Sequence, residues 1–190
     1  MTHLSLLISQ DALREFGLVF WNDASSRFHA SPLPLFSVLK EQRGLVADIE
    51  FYETKALEHM MVRTHPEMFR QLGVDRDAFS RDHKYPIALE GNRIILADTG
   101  LMRMAVMCPW VDCCLREECI SPKGSVLQQH VAGPTRWTHR YDQAALSLVV
   151  YRNLQGLMRF ERDPHPLLTR LVSSNRSPTG SEKAQYCKKA

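Results

Sequence analysis

A chain of 190 residues, 44% hydrophobic and 24% charged, has the composition of an ordinary globular protein with one core. No apolar run approaches the roughly 20 residues that span a bilayer, and residues 1–8 carry neither the basic region nor the cleavage site of a signal peptide. The net charge of +3 is concentrated in residues 173–190, where Arg176, Lys183, Lys188 and Lys189 oppose Glu182, so the body is neutral and lacks the basic field that nucleic-acid binding relies on. We therefore expect a folded body over 1–172, a disordered polar, basic tail over 173–190, no nucleic-acid partner and no membrane segment in this chain.

Helix and strand patterns alternate along the body. Residues 4–16 form an amphipathic pattern with Leu6, Leu7, Leu13 and Phe16 on one side and Gly17 just beyond. Leu18-Val19-Phe20-Trp21 is a continuous apolar run that suits a buried, central strand. It ends in Asn22-Asp23-Ala24-Ser25, which sets a carboxylate where a buried strand emerges. Ligands of open α/β sheets bind outside the carboxyl ends of strands, so Asp23 is the centre of one candidate site. An ordinary strand-end turn with local hydrogen bonds is the alternative.

Further along, residues 34–42 read as a short helix ending at Gly44, and 45–52 as a strand. Thr64-His65-Pro66-Glu67 is a helix start in which Thr64 caps, Glu67 completes a capping box and Pro66 suits the first turn. His65 is accordingly structural. Gly73 stops that helix after Leu72, and 75–85 reads as an irregular polar loop with a helical turn. Residues 87–96 suggest a strand pair, or one strand with a bulge at Gly91. Thr99 caps a helix running through Met104 and Val106 to Cys108, where Pro109 breaks or kinks it before a second piece through Trp110 and Leu115. Met102, Met104 and Met107 read as core filler. Ser121-Pro122-Lys123-Gly124 opens a loop that carries His130 to Thr138.

Four of the five cysteines, Cys108, Cys113, Cys114 and Cys119, lie close together, with Cys187 alone in the tail. The spacing around the adjacent Cys113-Cys114 pair is unlike the two separated knuckles of structural zinc sites. A disulfide closing Cys113 to Cys119 fits better in an oxidising compartment, and buried free thiols remain the reading for a reducing one.

The densest polar cluster is Thr138-His139-Arg140-Tyr141-Asp142-Gln143, at the mouth of an apolar helix in which Ala144, Ala145, Leu146, Leu148, Val149, Val150 and Leu154 recur at helical spacing before Gly156. Asp142 falls in or just before the first turn, where unpaired backbone N–H groups and the helix dipole favour an anion. Capping alone explains an aspartate there. A polar cluster at the start of a core-packed helix is also a place for chemistry.

Three blocks together resemble a known group: residues 12–28, which include Phe20-Trp21-Asn22-Asp23-Ala24-Ser25-Ser26-Arg27; Pro109-Trp110-Val111-Asp112-Cys113-Cys114 with Cys119-Ile120-Ser121-Pro122; and His139-Arg140-Tyr141-Asp142-Gln143-Ala144-Ala145-Leu146. In this order they are similar to a poorly characterised animal family related to the glycogenin-like nucleotide-diphospho-sugar transferases of the GT-A type. The resemblance covers residues 4–154 and implies a partial GT-A, Rossmann-like α/β domain, a mixed sheet with flanking helices. The implied activity is transfer from a nucleotide-sugar donor to a glycan or glycoprotein acceptor. The implied catalytic pair is Asp142 and Gln143, with the Asp accepting a sugar hydroxyl or stabilising positive charge at the anomeric carbon. Arg27, His139 and Arg140 are the substrate-binding candidates, the two arginines by bidentate contact to phosphate.

The chain also departs from the GT-A pattern. Those enzymes hold a divalent metal, manganese or magnesium, through an Asp-x-Asp motif against the leaving diphosphate. Asp23 resembles the first acid, but Ser25 stands at the second, a neutral and weaker ligand for a hard cation. The nucleotide-binding half that precedes that motif in GT-A enzymes has no counterpart in the short stretch before Asp23. The resemblance thus implies an N-terminally incomplete product, whose full-length form would be a type II membrane protein of the Golgi or secretory lumen. The cysteine block would then hold a lumenal disulfide. A chain complete as it stands would be cytoplasmic. A non-catalytic carbohydrate-binding or interaction domain that keeps the fold is the alternative to an enzyme.

Overall fold

The computed structural model describes residues 17–22, 26–31, 33–34, 45–49, 60–82, 88–125, 141–154 and 172–174. The helix expected over 4–16, that expected over 34–42 except for Pro34, which is in a turn, the loop carrying His130 and the tail beyond Ser174 lie outside these residues. The described chain mixes strands and helices. In order they are β1 (Leu18–Asn22), β2 (Ser26–Phe28), β3 (Leu45–Ile49), α1 (Met60–Arg63), α2 (Pro66–Gln71), α3 (Arg76–Asp82) and β4 (Leu89–Ala97). Then come α4 (Gly100–Met102), a π-helical stretch (Arg103–Met107), α5 (Cys108–Leu115), α6 (Glu117–Ile120), α7 (Tyr141–Leu154) and β5 (Val172–Ser174).

The sheet is built on β4. Its order is β1-β4-β3, and both pairings are antiparallel. The expectation of a central strand at residues 18–21 is corrected here. Ile94, Ile95 and Leu96 of β4 are buried on both faces, whereas Phe20 and Trp21 of β1 are only half-buried. An unbroken apolar run fits either place, so it could not tell β1 from β4. The expected bulge at Gly91 is present on the β3 side. Ala47 faces Ile94 and Ile49 faces Leu89, so two steps along β3 correspond to five along β4. Glycine suits that departure because it has no side chain to place. A second antiparallel pair joins β2 to β5, and it extends to Ser174, two residues into the segment read as tail. The ring of Phe28 on β2 lies 4.9 Å from that of Phe20 on β1.

The core lies between β4 and the helices. α7 is buried from Gln143 to Tyr151 and again at Leu154, so it is an interior helix rather than a surface one. It packs against β4, α1, the π-helical stretch, α5 and α6. Phe79 of α3 meets Phe69 of α2 and Tyr151 of α7 edge-to-face at 5.6 and 5.7 Å, which ties the small helices to the central one.

Local chemistry explains where the elements begin and turn, with four changes from expectation. The α2 cap is His65 rather than Thr64: extended at ψ 136°, its Nδ1 accepts the Glu67 N–H at 3.1 Å. Thr64 is fully buried and its hydroxyl turns back to the Met60 sulfur at 3.9 Å. Glu67 bonds forward to Arg70 and Gln71 instead of back to a cap. Gly73 does stop the helix, with φ +64°. In the segment expected to be an irregular loop with a helical turn, Asp75 accepts the N–H groups of Asp77 and Ala78 at 2.9 and 3.0 Å and so starts α3, which runs for seven residues. Thr99 caps as expected, accepting from the Met102 N–H at 3.1 Å. Met102 and Met107 fill the core, but Met104 is 72% exposed.

Pro109 neither breaks nor ends its helix. The turn before it widens to π geometry, with the Cys108 N–H reaching the Arg103 carbonyl. The Ala105 carbonyl, which a proline at 109 cannot serve, accepts instead from Asn153 Nδ2 of α7 at 2.6 Å. A side chain remote in sequence thus replaces the missing helix donor.

Candidate functional site

The polar cluster that opens α7 is bound into the sheet and into α5. Asp142 lies in the first turn and is half-buried. The indole N–H of Trp110, on α5, donates to the Asp142 main-chain carbonyl at 3.0 Å. Just before it, Tyr141 has φ +30°, a left-handed backbone value that is costly for a bulky residue. Strain of that kind persists only where the surroundings over-determine the conformation. Here the Trp110 bond on the next residue is one such restraint.

Gln143 is buried and its carboxamide is turned inward. Its Nε2 donates to the Leu89 carbonyl at 2.7 Å. One helical turn later, the Ser147 hydroxyl accepts the Leu89 N–H at 2.9 Å and donates to the Gln143 carbonyl at 2.7 Å. Two side chains on one face of α7 therefore serve both main-chain groups of Leu89 where β4 begins. They do for that residue what an adjacent strand would do. A polar pair spaced i, i+4 within an apolar helix was the sequence signal for this clamp.

The pairing register fixes which end of the sheet this is. β1 runs antiparallel to β4 and ends with Asn22 opposite Arg93, towards the beginning of β4. Leu89, held by α7, lies at that same end. The carboxyl end of β1 and the residue held by α7 thus lie towards the same end of β4, four residues apart along it. Asp23 and Ser25, which follow β1, lie outside the described residues, as do His139 and Arg140. Arg27 is in β2, its backbone opposite Ser173 of β5.

Cysteine chemistry frames the other side. Cys113 and Cys119 form a disulfide that joins α5 to α6, the pair expected from the sequence. This removes two of the thiolates that a zinc site in the block would need. Cys114 is a buried thiol, and burial first, then the negative charge of Asp142, pushes its pKa up to about 12. It therefore stays protonated at neutral pH and is no nucleophile. Cys108 is an exposed thiol.

Among the described residues no three His, Cys, Asp or Glu side chains converge on a metal position, and no helix is long and apolar enough to cross a membrane. Asp23 with Ser25 offers one carboxylate where the metal-binding motif has two. That donor set fits a hard divalent cation poorly. Sequence reasoning missed Trp110, Cys114 and Ser147 as members of the cluster, because each reaches it through tertiary contact. Comparison of the chain with protein-family models, with curated proteins and with solved structures finds no match.

Proposed function

We propose that the chain is a partial GT-A-type domain whose complete form transfers a sugar from a nucleotide-sugar donor to a glycan or glycoprotein acceptor, with Asp142 facing the donor sugar. One observation carries the reading. The carboxyl end of β1 and the first turn of α7, which belong to two of the resembling sequence blocks, both lie towards the beginning of β4. The third block joins them through the Trp110 bond to Asp142.

In this proposal the Asp142 carboxylate accepts a hydroxyl of the donor sugar and stabilises positive charge as the anomeric bond breaks. Arg27, His139 and Arg140 are the candidates for the diphosphate and sugar. Manganese or magnesium is the metal the family resemblance implies, but no step proposed for this chain passes through it, given its single carboxylate. The buried disulfide supports an oxidising, lumenal setting such as the Golgi.

A non-catalytic carbohydrate-binding or interaction domain is the second reading, and one observation favours it. The Gln143 carboxamide nitrogen is engaged with Leu89, inside the fold. The proposed catalytic pair then contracts to Asp142 alone.

The test is a calorimetric titration of the protein with UDP-glucose, UDP-galactose and UDP-N-acetylglucosamine, with and without manganese. Saturable binding that Asp142→Asn weakens by about tenfold or more, while the fold is retained, is the expected result. No binding, or binding indifferent to Asp142→Asn, defeats the transferase reading. Binding of free glycans without any nucleotide-sugar would establish the second.

A further inference from the structure

We infer that the Cys113–Cys119 disulfide positions Asp142 and that Trp110 transmits the constraint. That Asp142 faces a sugar rests on the function proposed above; the coupling itself does not. Trp110, Cys113 and Cys114 occupy positions i, i+3 and i+4 of α5, and all three are buried. Trp110 holds the Asp142 carbonyl, Cys114 packs within electrostatic range of the Asp142 carboxylate, and Cys113 carries the crosslink. One face of a single helix therefore bears the anchor, the neighbour and the staple of the same turn.

The far side of the staple is anchored on α2: Cys119 and Ile120 are buried, α6 packs against α2, and Arg116 Nη1 donates to Gln71 Oε1 at 2.9 Å. α6 has four residues, and the chain reaches it through Arg116, whose backbone is extended at φ −106° and ψ 117°. The ion pair from Arg116 back to Asp112 on α5 spans 3.0 Å, but the Asp112 side chain is 68% exposed, so it adds little. Without the crosslink, α5 keeps its chain link to α6 through Arg116 but loses the staple to that anchored segment, and the face bearing Trp110 is held less firmly against α7. Asp142 is then fixed less firmly.

Hydrogen exchange reads this directly. Ala145 and Leu146 are the first α7 residues whose amides find acceptors within the helix, on the carbonyls of Tyr141 and Asp142. Removing the crosslink with Cys113→Ala and Cys119→Ala is expected to speed exchange at these two amides by about tenfold, the scale of one lost hydrogen bond. Amides 150–154, at the other end of α7, should be unchanged. Trp110→Phe, which keeps an aromatic ring, though a smaller one, and loses the N–H, should give the same local increase with the disulfide intact. Combining it with the cysteine variants should add nothing further. Should the double cysteine variant not fold, wild-type protein reduced with TCEP under native conditions and read at the same amides still decides. Unchanged exchange at 145 and 146 in the folded variants, or a uniform rise along α7, overturns the inference. UDP-glucose titration of the same samples separates the two claims. A local exchange response without binding removes the transferase reading and leaves the coupling, whereas binding to the wild-type protein without an exchange response does the reverse.

Discussion

The N-terminal ends of α2 and α7 both carry dense polar clusters, but the His65 cap and the Glu67 bonds at α2 stay within that helix, whereas the groups at α7 bond to remote parts of the chain. Gln71 of the α2 group also accepts from Arg116, outside that helix. At α2, His65 caps its own helix, and Glu67 is paired with Arg70 and Gln71 within the next turn. At α7, Gln143 and Ser147 hold Leu89, and Trp110 holds Asp142. The first cluster is solved by local geometry and solvent. The second is solved only when β4, α5 and α7 come together, and so it ties the beginning of β4 to the helix mouth. A polar cluster at the start of a helix thus acquires functional interest when its partners are non-local, since an ordinary cap does not need them.

The contrast gives an order of effects. The largest loss should come from Ser147→Ala, which leaves the buried Leu89 N–H without an acceptor; urea unfolding is expected to show a cost of about 2 kcal/mol. A cost within error of zero would mean that α7 does not hold β4. Next, Asn153→Ala should cost about 1 kcal/mol by leaving the Ala105 carbonyl unserved, and Pro109→Ala should recover most of it by restoring a helix donor. Additive effects in that double-mutant cycle would break the link between the proline and the asparagine.

Cys114 offers a test on the alkaline side. Its pKa is raised to about 12 in the folded protein from an ordinary 9.0, so the folded state holds its proton where the unfolded state releases it. The thiol's contribution is complete below pH 9 and is lost as pH rises towards 12. Cys114→Ala should flatten the alkaline fall in urea midpoint, and at pH 8 iodoacetamide should label the exposed Cys108 while sparing Cys114.

The start of α2 should respond least. His65→Ala is expected to cost about 0.5–1 kcal/mol through loss of one cap. Glu67 lies at the surface with its pKa lowered to about 2 from 4.5, chiefly by hydrogen bonds from Arg70 and then Gln71. Its contribution is present above pH 4.5 and disappears as pH falls through 2. Glu67→Gln should lose that small surface contribution at neutral pH, leave stability near pH 2 unchanged, and so make the acid limb of the stability profile shallower. An α2 variant as damaging as Ser147→Ala would erase the distinction between the two helix starts.

Much of the frame was legible because its signals are local. Apolar runs marked β1 and the core of β4, Gly73 marked a helix stop, Thr99 a cap, Gly91 a bulge, and the cysteine spacing the Cys113–Cys119 pair. What escaped depends on tertiary partners. Thr64 has the better capping side chain by type, yet it is buried against Met60 and leaves the role to His65. Pro109 marked an irregularity that the π-helical stretch before it shows, but not its remedy: Asn153, 48 residues away from Ala105, serves the carbonyl it orphaned. Asp142 was legible as a first-turn acid from the helical period of the residues after it. The inward turn of Gln143 was not, because only the position of Leu89 decides it.

The most direct measurement is amide chemical-shift mapping of the isotopically labelled protein during titration with a nucleotide-sugar such as UDP-galactose. The expected result is saturable shifts confined to the carboxyl end of β1 and to residues 139–143, abolished by Asp142→Asn. Shifts absent throughout, or clustered away from those residues, would contradict the assignment of Asp142 to a sugar-binding site.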